Sequence, residues 1–298
     1  MESMGLRPIC AFLLGVVLIL LTGCNFFGRS KEEVQAIEEI KQRILANPGS
    51  INVDDGSDTP LNFAVRNNYL DLAEWLVAHG ADVEAPNRNK QTPLRIAMIS
   101  DRSEDLRMMR FLLDHGGQVN TFGESDQMRL HEAAFMGRSD VALLLIQHGA
   151  LVAGRSFTGA MPLHIAAERP NNQAVAQVLL DHGAKTEART FAGETPLCRA
   201  ATTDHLEMVQ FLLEHGADPS APCNRGTTPL HIAAAKRDSK IAALLLEHGA
   251  NVHATDYDSR TPLWLATHAR ESAANATSPH RSDPLQIVDL IRQHGGTE

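Results

Sequence analysis

One tripeptide recurs along this chain at a nearly fixed interval. Thr59-Pro60-Leu61, Thr92-Pro93-Leu94, Met161-Pro162-Leu163, Thr195-Pro196-Leu197, Thr228-Pro229-Leu230 and Thr261-Pro262-Leu263 share the pattern, and Met128-Arg129-Leu130-His131 is a degenerate seventh. The anchors at 59, 92, 128, 161, 195, 228 and 261 are separated by 33, 36, 33, 34, 33 and 33 residues. The dipeptide His-Gly keeps a second, independent count, at His79-Gly80, His115-Gly116, His148-Gly149, His182-Gly183, His215-Gly216, His248-Gly249 and His294-Gly295. A period near 33 predicts a stacked array whose units contact only their neighbours, rather than a globular enzyme.

The local chemistry of each unit is that of two helices. Thr before Pro starts a helix, because Thr caps and Pro takes the first position, where its missing N–H costs nothing. Leu and the Ala residues after it give a narrow apolar face, which lets helices lie close. The Leu-Leu-x-His-Gly run ends a helix: Gly can take the left-handed cap conformation, and His stands in the last turn near the negative end of the dipole. Each unit is therefore a short helix, a turn, a second helix and a hairpin-like loop. One such unit cannot bury its own apolar face, so units stack.

The fullest copy runs Thr228-Pro229-Leu230-His231-Ile232-Ala233-Ala234-Ala235 and closes on Leu244-Leu245-Leu246-Glu247-His248-Gly249-Ala250. Anchor, period and closing His-Gly-Ala together resemble the ankyrin repeat over roughly residues 51–298. The resemblance implies an all-α solenoid of about seven helix–turn–helix repeats with hairpin loops. The expected organisation is a leader over 1–23, a modified Cys and short linker over 24–30, an N-terminal capping helix over 31–50 and the repeat domain over 51–298. The capping helix, about 31 to 46, starts at Ser30-Lys31-Glu32-Glu33, which has capping-box spacing. Val34, Ile37, Ile40 and Ile44 follow at helical intervals.

The two counts also locate irregularities. Anchor-to-Gly spacing is 21 in the repeats at 59, 128, 195 and 228, but 24 at 92, 22 at 161 and 34 at 261. The extra residues fall near the turn between helices: Ser100–Asp105, Arg169–Gln173 and about Arg270–Pro284. The last, with Ser272, Asn275, Ser278, Pro279 and Pro284, reads as a loop.

The first 24 residues differ in kind. Arg7 is the one basic residue before an apolar run from Ile9 to Leu21, which is 13 residues long. That is short of the ~20 a transmembrane helix needs and suits the apolar core of a secretory signal. It ends in Leu21-Thr22-Gly23-Cys24, which resembles the lipobox of bacterial lipoproteins. By that resemblance the chain is cut before Cys24, whose thiol and new amine carry acyl chains; more than one chain gives stable membrane attachment. Asn25, in place of Asp, favours outer-membrane sorting by the rules of that family. The alternative is an uncleaved anchor with a chance Cys.

Composition narrows function. With 36 acidic and 27 basic residues the net charge is -9, and no basic stripe or nucleic-acid motif is present, so DNA and RNA are not expected partners. Of 14 histidines, seven end helices and three (His131, His164, His231) stand in anchor motifs, leaving His205, His253, His268 and His280 scattered. No Cys/His cluster has zinc spacing, no glycine-rich phosphate loop appears, and no local Ser–His–Asp set stands out. The expectation is a protein with no catalytic residues, metal, cofactor or small-molecule substrate.

Two cysteines remain after Cys10 and Cys24. Cys198 stands three after its anchor, where His131, His164 and His231 stand in other repeats. Cys223 stands five before the next anchor, in the loop. In ankyrin proteins that His lies beside the following repeat's loop, so the resemblance implies facing positions. In an oxidising compartment it suggests a disulfide; the alternative is two unrelated thiols, one packed and one exposed.

What remains is binding. Ankyrin folds bind through loop tips and the exposed side of the first helix, at positions four, three and one before the anchor and seven and eight after it. Aromatics are only 5% of the chain, yet Phe157, Phe191 and Tyr257 share one loop-tip offset. Phe135 and Met136 stand one repeat before Phe157, and Glu168 and Arg169 stand at the rim. Such an apolar cluster ringed by charge is expected to bind a partner protein; the alternative is that the rings fold back onto neighbouring loops. The functional expectation is a lipid-anchored ankyrin protein of the bacterial cell envelope, outer membrane facing the periplasm, that binds one partner, as an immunity or inhibitor protein facing an envelope-acting toxin would. A scaffold or regulator of an envelope enzyme is the alternative, and an enzyme with an unrecognised site a distant one.

Overall fold

The computed structural model describes residues 29–54, 56, 58–100, 105–122, 128–268 and 284–297. The leader over 1–23, Cys24, Asn25, most of the loop at about 270–284 and the core of the 100–105 insert lie outside the described residues. Among those described, the chain is all-helical, with one isolated antiparallel bridge between Phe122 and Met128. It divides into two compact units, one ending at Gly117 and one beginning at Gln118.

The first unit opens with α1 (Lys31–Ala46), capped as its sequence predicts: Glu33 N–H donates to Ser30 Oγ at 3.2 Å and Ser30 N–H to Glu33 Oε2 at 2.7 Å. Its buried Ile37 and Ile44 form the inner stripe. Arg29 grips Asp71 with two bonds of 2.8 and 2.6 Å, and Tyr69 Oη donates to Glu33 at 2.8 Å. Two helix pairs follow: α2 (Pro60–Arg66) with α3 (Leu70–Ala78), and α4 (Pro93–Ser100) with α5 (Arg107–Asp114). First helices pack on first helices (α2 on α4) and second on second (α3 on α5).

The second unit continues that scheme through five repeats: α6 (Arg129–Met136) and α7 (Ser139–Gln147), α8 (Pro162–Ala167) and α9 (Gln173–Asp181), α10 (Pro196–Thr202) and α11 (Leu206–Glu214), α12 (Pro229–Lys236) and α13 (Ser239–Glu247), α14 (Pro262–His268) and α15 (Pro284–Gln293). Anchor Leu130, Leu163, Leu197, Leu230 and Leu263 are all buried, as are Ala133, Ala166, Ala200, Ala233 and Ala266 behind them. Small residues three positions on let successive first helices approach, so the apolar surface one repeat cannot cover is covered by the next.

The His-Gly dipeptide has a specific task. At the ends of α3, α5, α7, α9, α11, α13 and α15 the imidazole Nδ1 bonds the carbonyl four residues back, at 2.7 to 2.9 Å. A carbonyl only accepts, so Nδ1–H donates and satisfies one of the orphan C=O groups of a helix end. Several rings also stack on an aromatic one turn back, such as Trp75–His79 with centroids 3.8 Å apart.

Candidate functional site

Four loops of the second unit, those before the anchors at 161, 195, 228 and 261, are fixed from below by the first helix of the repeat before them. His131 Nε2 bonds Ala160 O at 3.0 Å, His164 Nε2 bonds Glu194 O at 3.0 Å and Ala188 O at 3.1 Å, and His231 Nε2 bonds Arg260 O at 2.9 Å. The carbonyl partners require Nε2–H, which leaves Nδ1 as an acceptor. Met161 N–H donates to Nδ1 of His164 at 3.2 Å and Thr228 N–H to that of His231 at 3.1 Å. The imidazoles of His164 and His231 thus cap their own helices while holding the next loop, whereas His131 only holds the loop. All three rings are buried, and burial lowers their pKa values below the usual 6.5, that of His164 to about 4. Cys198 occupies the same position in α10, and its sulfur is bonded to Cys223 of the next loop, with Cα atoms 5.9 Å apart.

Above these pins the loops are short hairpins. The residue five before each anchor closes its hairpin by donating its N–H to the residue one before it: Ser156 to Ala160 at 2.8 Å, Thr190 to Glu194 at 3.0 Å, Asp256 to Arg260 at 3.1 Å. The next residue is the tip. Phe191 N–H donates to Thr158 O and Tyr257 N–H to Arg225 O, both at 3.0 Å, so adjacent tips are tied through backbone. Their rings lie on the preceding hairpin's left-handed glycine. A Cβ on Gly159, φ +75°, would come within 2.7 Å of Phe191, and one on Gly226, φ +74°, within 2.7 Å of Tyr257. One ring face is thus seated and the rest is open: Phe157 is 71% exposed, Phe191 72% and Tyr257 80%. The rings touch the neighbouring loop yet present most of their surface to water.

Arginines brace the same loops. Arg155 Nη1 donates to Gly159 O at 3.0 Å and Arg189 O at 2.8 Å, and lies 5.7 Å from the Phe191 centroid. Arg189 Nη1 repeats the pattern one repeat later, to Gly193 O at 3.0 Å and Pro222 O at 2.6 Å.

The inner-helix positions differ from expectation. Phe135 is exposed but carries the Arg169 guanidinium 3.7 Å above its ring, while Met136 is half-buried. Phe157 meets Phe122 edge-on at 6.1 Å rather than a Phe135–Met136 pair. Glu168 pairs with Arg199, which also holds Glu194 at 2.7 Å; the Glu168 carbonyl accepts from His205 Nε2 at 3.0 Å. One repeat on, Lys236 pairs with Asp204 at 2.8 Å. Glu168 and Arg169 are thus engaged with their own neighbours and are not free rim charges. The reason is reach: from the turn after α8, Arg169 extends back to Phe135 in the repeat before and Glu168 forward to Arg199 in the repeat after.

Phe122, Arg155, Arg189 and Arg199 were not singled out from sequence. Three of them, Phe122, Arg155 and Arg189, stand six before their anchors, so the register that found the tips also marks them. The expected positions Asp55, Glu124, Ser125 and Gln127 lie outside the described residues. In the first unit the exposed tip is Arg88, beside Asp54 at 3.4 Å, with no aromatic counterpart.

Two family profiles match the chain: one described as "Ankyrin repeats (3 copies)" over residues 130–223, and one as "Ankyrin repeats (many copies)" over 44–97 and 212–266. Together they cover more than half of it, and the chain belongs to the ankyrin-repeat proteins. Its fold is similar to the ankyrin repeat domain of Bcl-3, described as a unique member of the IkappaB protein family, at TM-score 0.67 and 27% identity, covering 80% of this chain and 100% of that one. The human ASB11 ankyrin repeat domain matches at TM-score 0.63 and 23% identity, covering 80% and 99%, which shows the fold alone. Among curated proteins, the human transient receptor potential cation channel subfamily A member 1 is 31% identical over 116 residues, 39% of this chain and 10% of that one. Alpha-latroinsectotoxin-Lt1a of Latrodectus tredecimguttatus is 31% identical over 171 residues, 56% of this chain and 11% of that one. The chain spans about a tenth of the length of these curated relatives. Ankyrin repeats are an interaction fold, and binding to another protein is the activity they suggest.

Proposed function

We propose that this protein binds a partner protein in the bacterial cell envelope, held at the outer membrane by lipid on Cys24, with the loop tips of the second unit at the centre of the contact. Its role is that of an immunity or inhibitor protein that occupies one envelope-acting partner. The observation that carries the binding reading is the set of loop tips: Phe157, Phe191 and Tyr257 are each more than 70% exposed while their backbones are fixed. Exposed rings on a rigid frame lose little entropy on binding and gain by leaving water. The disulfide supports an oxidising compartment, and the Leu21-Thr22-Gly23-Cys24 sequence supports the lipid.

Pull-down from detergent-solubilised envelope with the full chain tests the reading. One protein retained by wild type and lost with Phe157→Ala/Phe191→Ala supports it; equal retention by both contradicts it. Metabolic labelling with a fatty acid tests the anchor, since equal label on wild type and Cys24→Ser excludes it.

A further inference from the structure

Between the segment after α7 and the segment after α9, the second unit has an open groove of about 510 Å³. Its apolar walls are Val152, Met161, Leu163, Ala184 and Ala188, and Arg155, Lys185 and Arg189 stand along it. Glu187 also lines it, but its Oε1 accepts the Asp218 N–H at 3.0 Å. Neither arginine nor Lys185 forms an ion pair among the described residues. The guanidiniums are not loose: each is oriented by two backbone carbonyls through Nη1, which leaves Nε and Nη2 as donors.

The walls say what the anion carries behind it. Their backbone is already paired: Ala188 N–H donates to Lys185 O at 3.1 Å, Ala188 O accepts from His164, and Ala184 N–H donates to Leu179 O at 2.9 Å. A bound peptide would desolvate its own amides here with few partners to meet them, at a cost. An unbranched hydrocarbon has no such groups.

We propose that this groove binds a medium- or long-chain fatty acid, with its carboxylate at Lys185 and the two guanidiniums and its acyl chain against Val152, Met161, Leu163 and Ala184. The volume falls within the ~300–1,000 Å³ of small-molecule sites. Calorimetric titration of the full chain with dodecanoate, below its micelle concentration, should show saturable one-site binding. Dodecanol, with the same chain and no charge, should bind about tenfold more weakly. Lys185→Glu should weaken dodecanoate about tenfold or more at unchanged Tm, because Lys185 is exposed. Ala184→Trp, which fills the groove, should abolish binding of both. Non-saturable uptake, equal affinity for dodecanoate and dodecanol, or indifference to Lys185→Glu would overturn the proposal. So would a Leu-terminated peptide that saturates the groove where dodecanoate does not.

Discussion

The base and the tip of each hairpin in the second unit are only a few residues apart, yet they are built to opposite specifications. At the base, His131, His164, His231 and Cys198 are buried and each is committed to the next repeat's loop. At the tip, Phe157, Phe191 and Tyr257 are mostly in water. Rings this large bury about 150–250 Å² each when covered, and the fold leaves them mostly uncovered while sealing its junctions with imidazoles and one disulfide. The base holds adjacent repeats in register, and on the function proposed above the tip is the part a partner covers. Changes at the base should therefore cost stability, and changes at the tip should cost binding.

The largest expected effect lies at the one covalent base. The Cys198–Cys223 bond closes a loop of 25 residues, which the chain-entropy treatment values at about 3–4 kcal/mol. Reducing agent should lower the urea midpoint of the wild-type protein, and Cys198→Ala should remove that sensitivity. In a chain that begins after Cys24, two titratable thiols in unreduced, denatured protein would show that the junction is held some other way.

The three imidazole bases should instead respond to acid. Burial keeps them neutral in the fold, whereas in the unfolded chain they protonate below about pH 6.5. The unfolded chain therefore takes up more protons as pH falls, so stability that is full above pH 6.5 declines toward pH 4. With a folded-state value of about 4, His164 alone accounts for about 3 kcal/mol between pH 7 and pH 4. Carboxylates add their own slope, so the comparison is with His164→Gln, whose pH profile should be flatter over that window. Parallel profiles would mean His164 is no junction.

How far base and tip were legible from sequence follows the same division. The period, the anchors and the helix ends fixed the register, and register alone aligned Cys198 with the histidines and Phe157 with Phe191 and Tyr257. The charged network was not legible. Arg199 meets Glu168 from the preceding repeat and Glu194 from its own, and nothing in their spacing says which carboxylates a long side chain reaches. Phe122 was hidden for another reason: its anchor is the degenerate Met128-Arg129, which weakens the count at that repeat. The cover on Phe135 was not legible either: Arg169, one repeat on, lies over its ring.

A smaller effect should appear between base and tip. Gly159 has φ +75° and supports the Phe191 ring. An L-residue there costs about 1–2 kcal/mol for the left-handed backbone, and its Cβ must displace the ring. Gly159→Ala should lower stability by about that much and weaken partner binding as well. It is the substitution for which the two jobs should fail together.

The most direct measurement takes both readouts on Phe157→Ala/Phe191→Ala: the melting curve of the full chain, and its affinity for the partner recovered from the envelope. Removing a central exposed aromatic can cost about 2 kcal/mol or more of binding, whereas surface changes usually leave stability within about 0.5 kcal/mol. The account predicts at least thirtyfold weaker binding, the equivalent of about 2 kcal/mol, with the melting curve almost unmoved. A large loss of stability with unchanged affinity would contradict it, because the tips would then be packing residues and the partner would bind elsewhere.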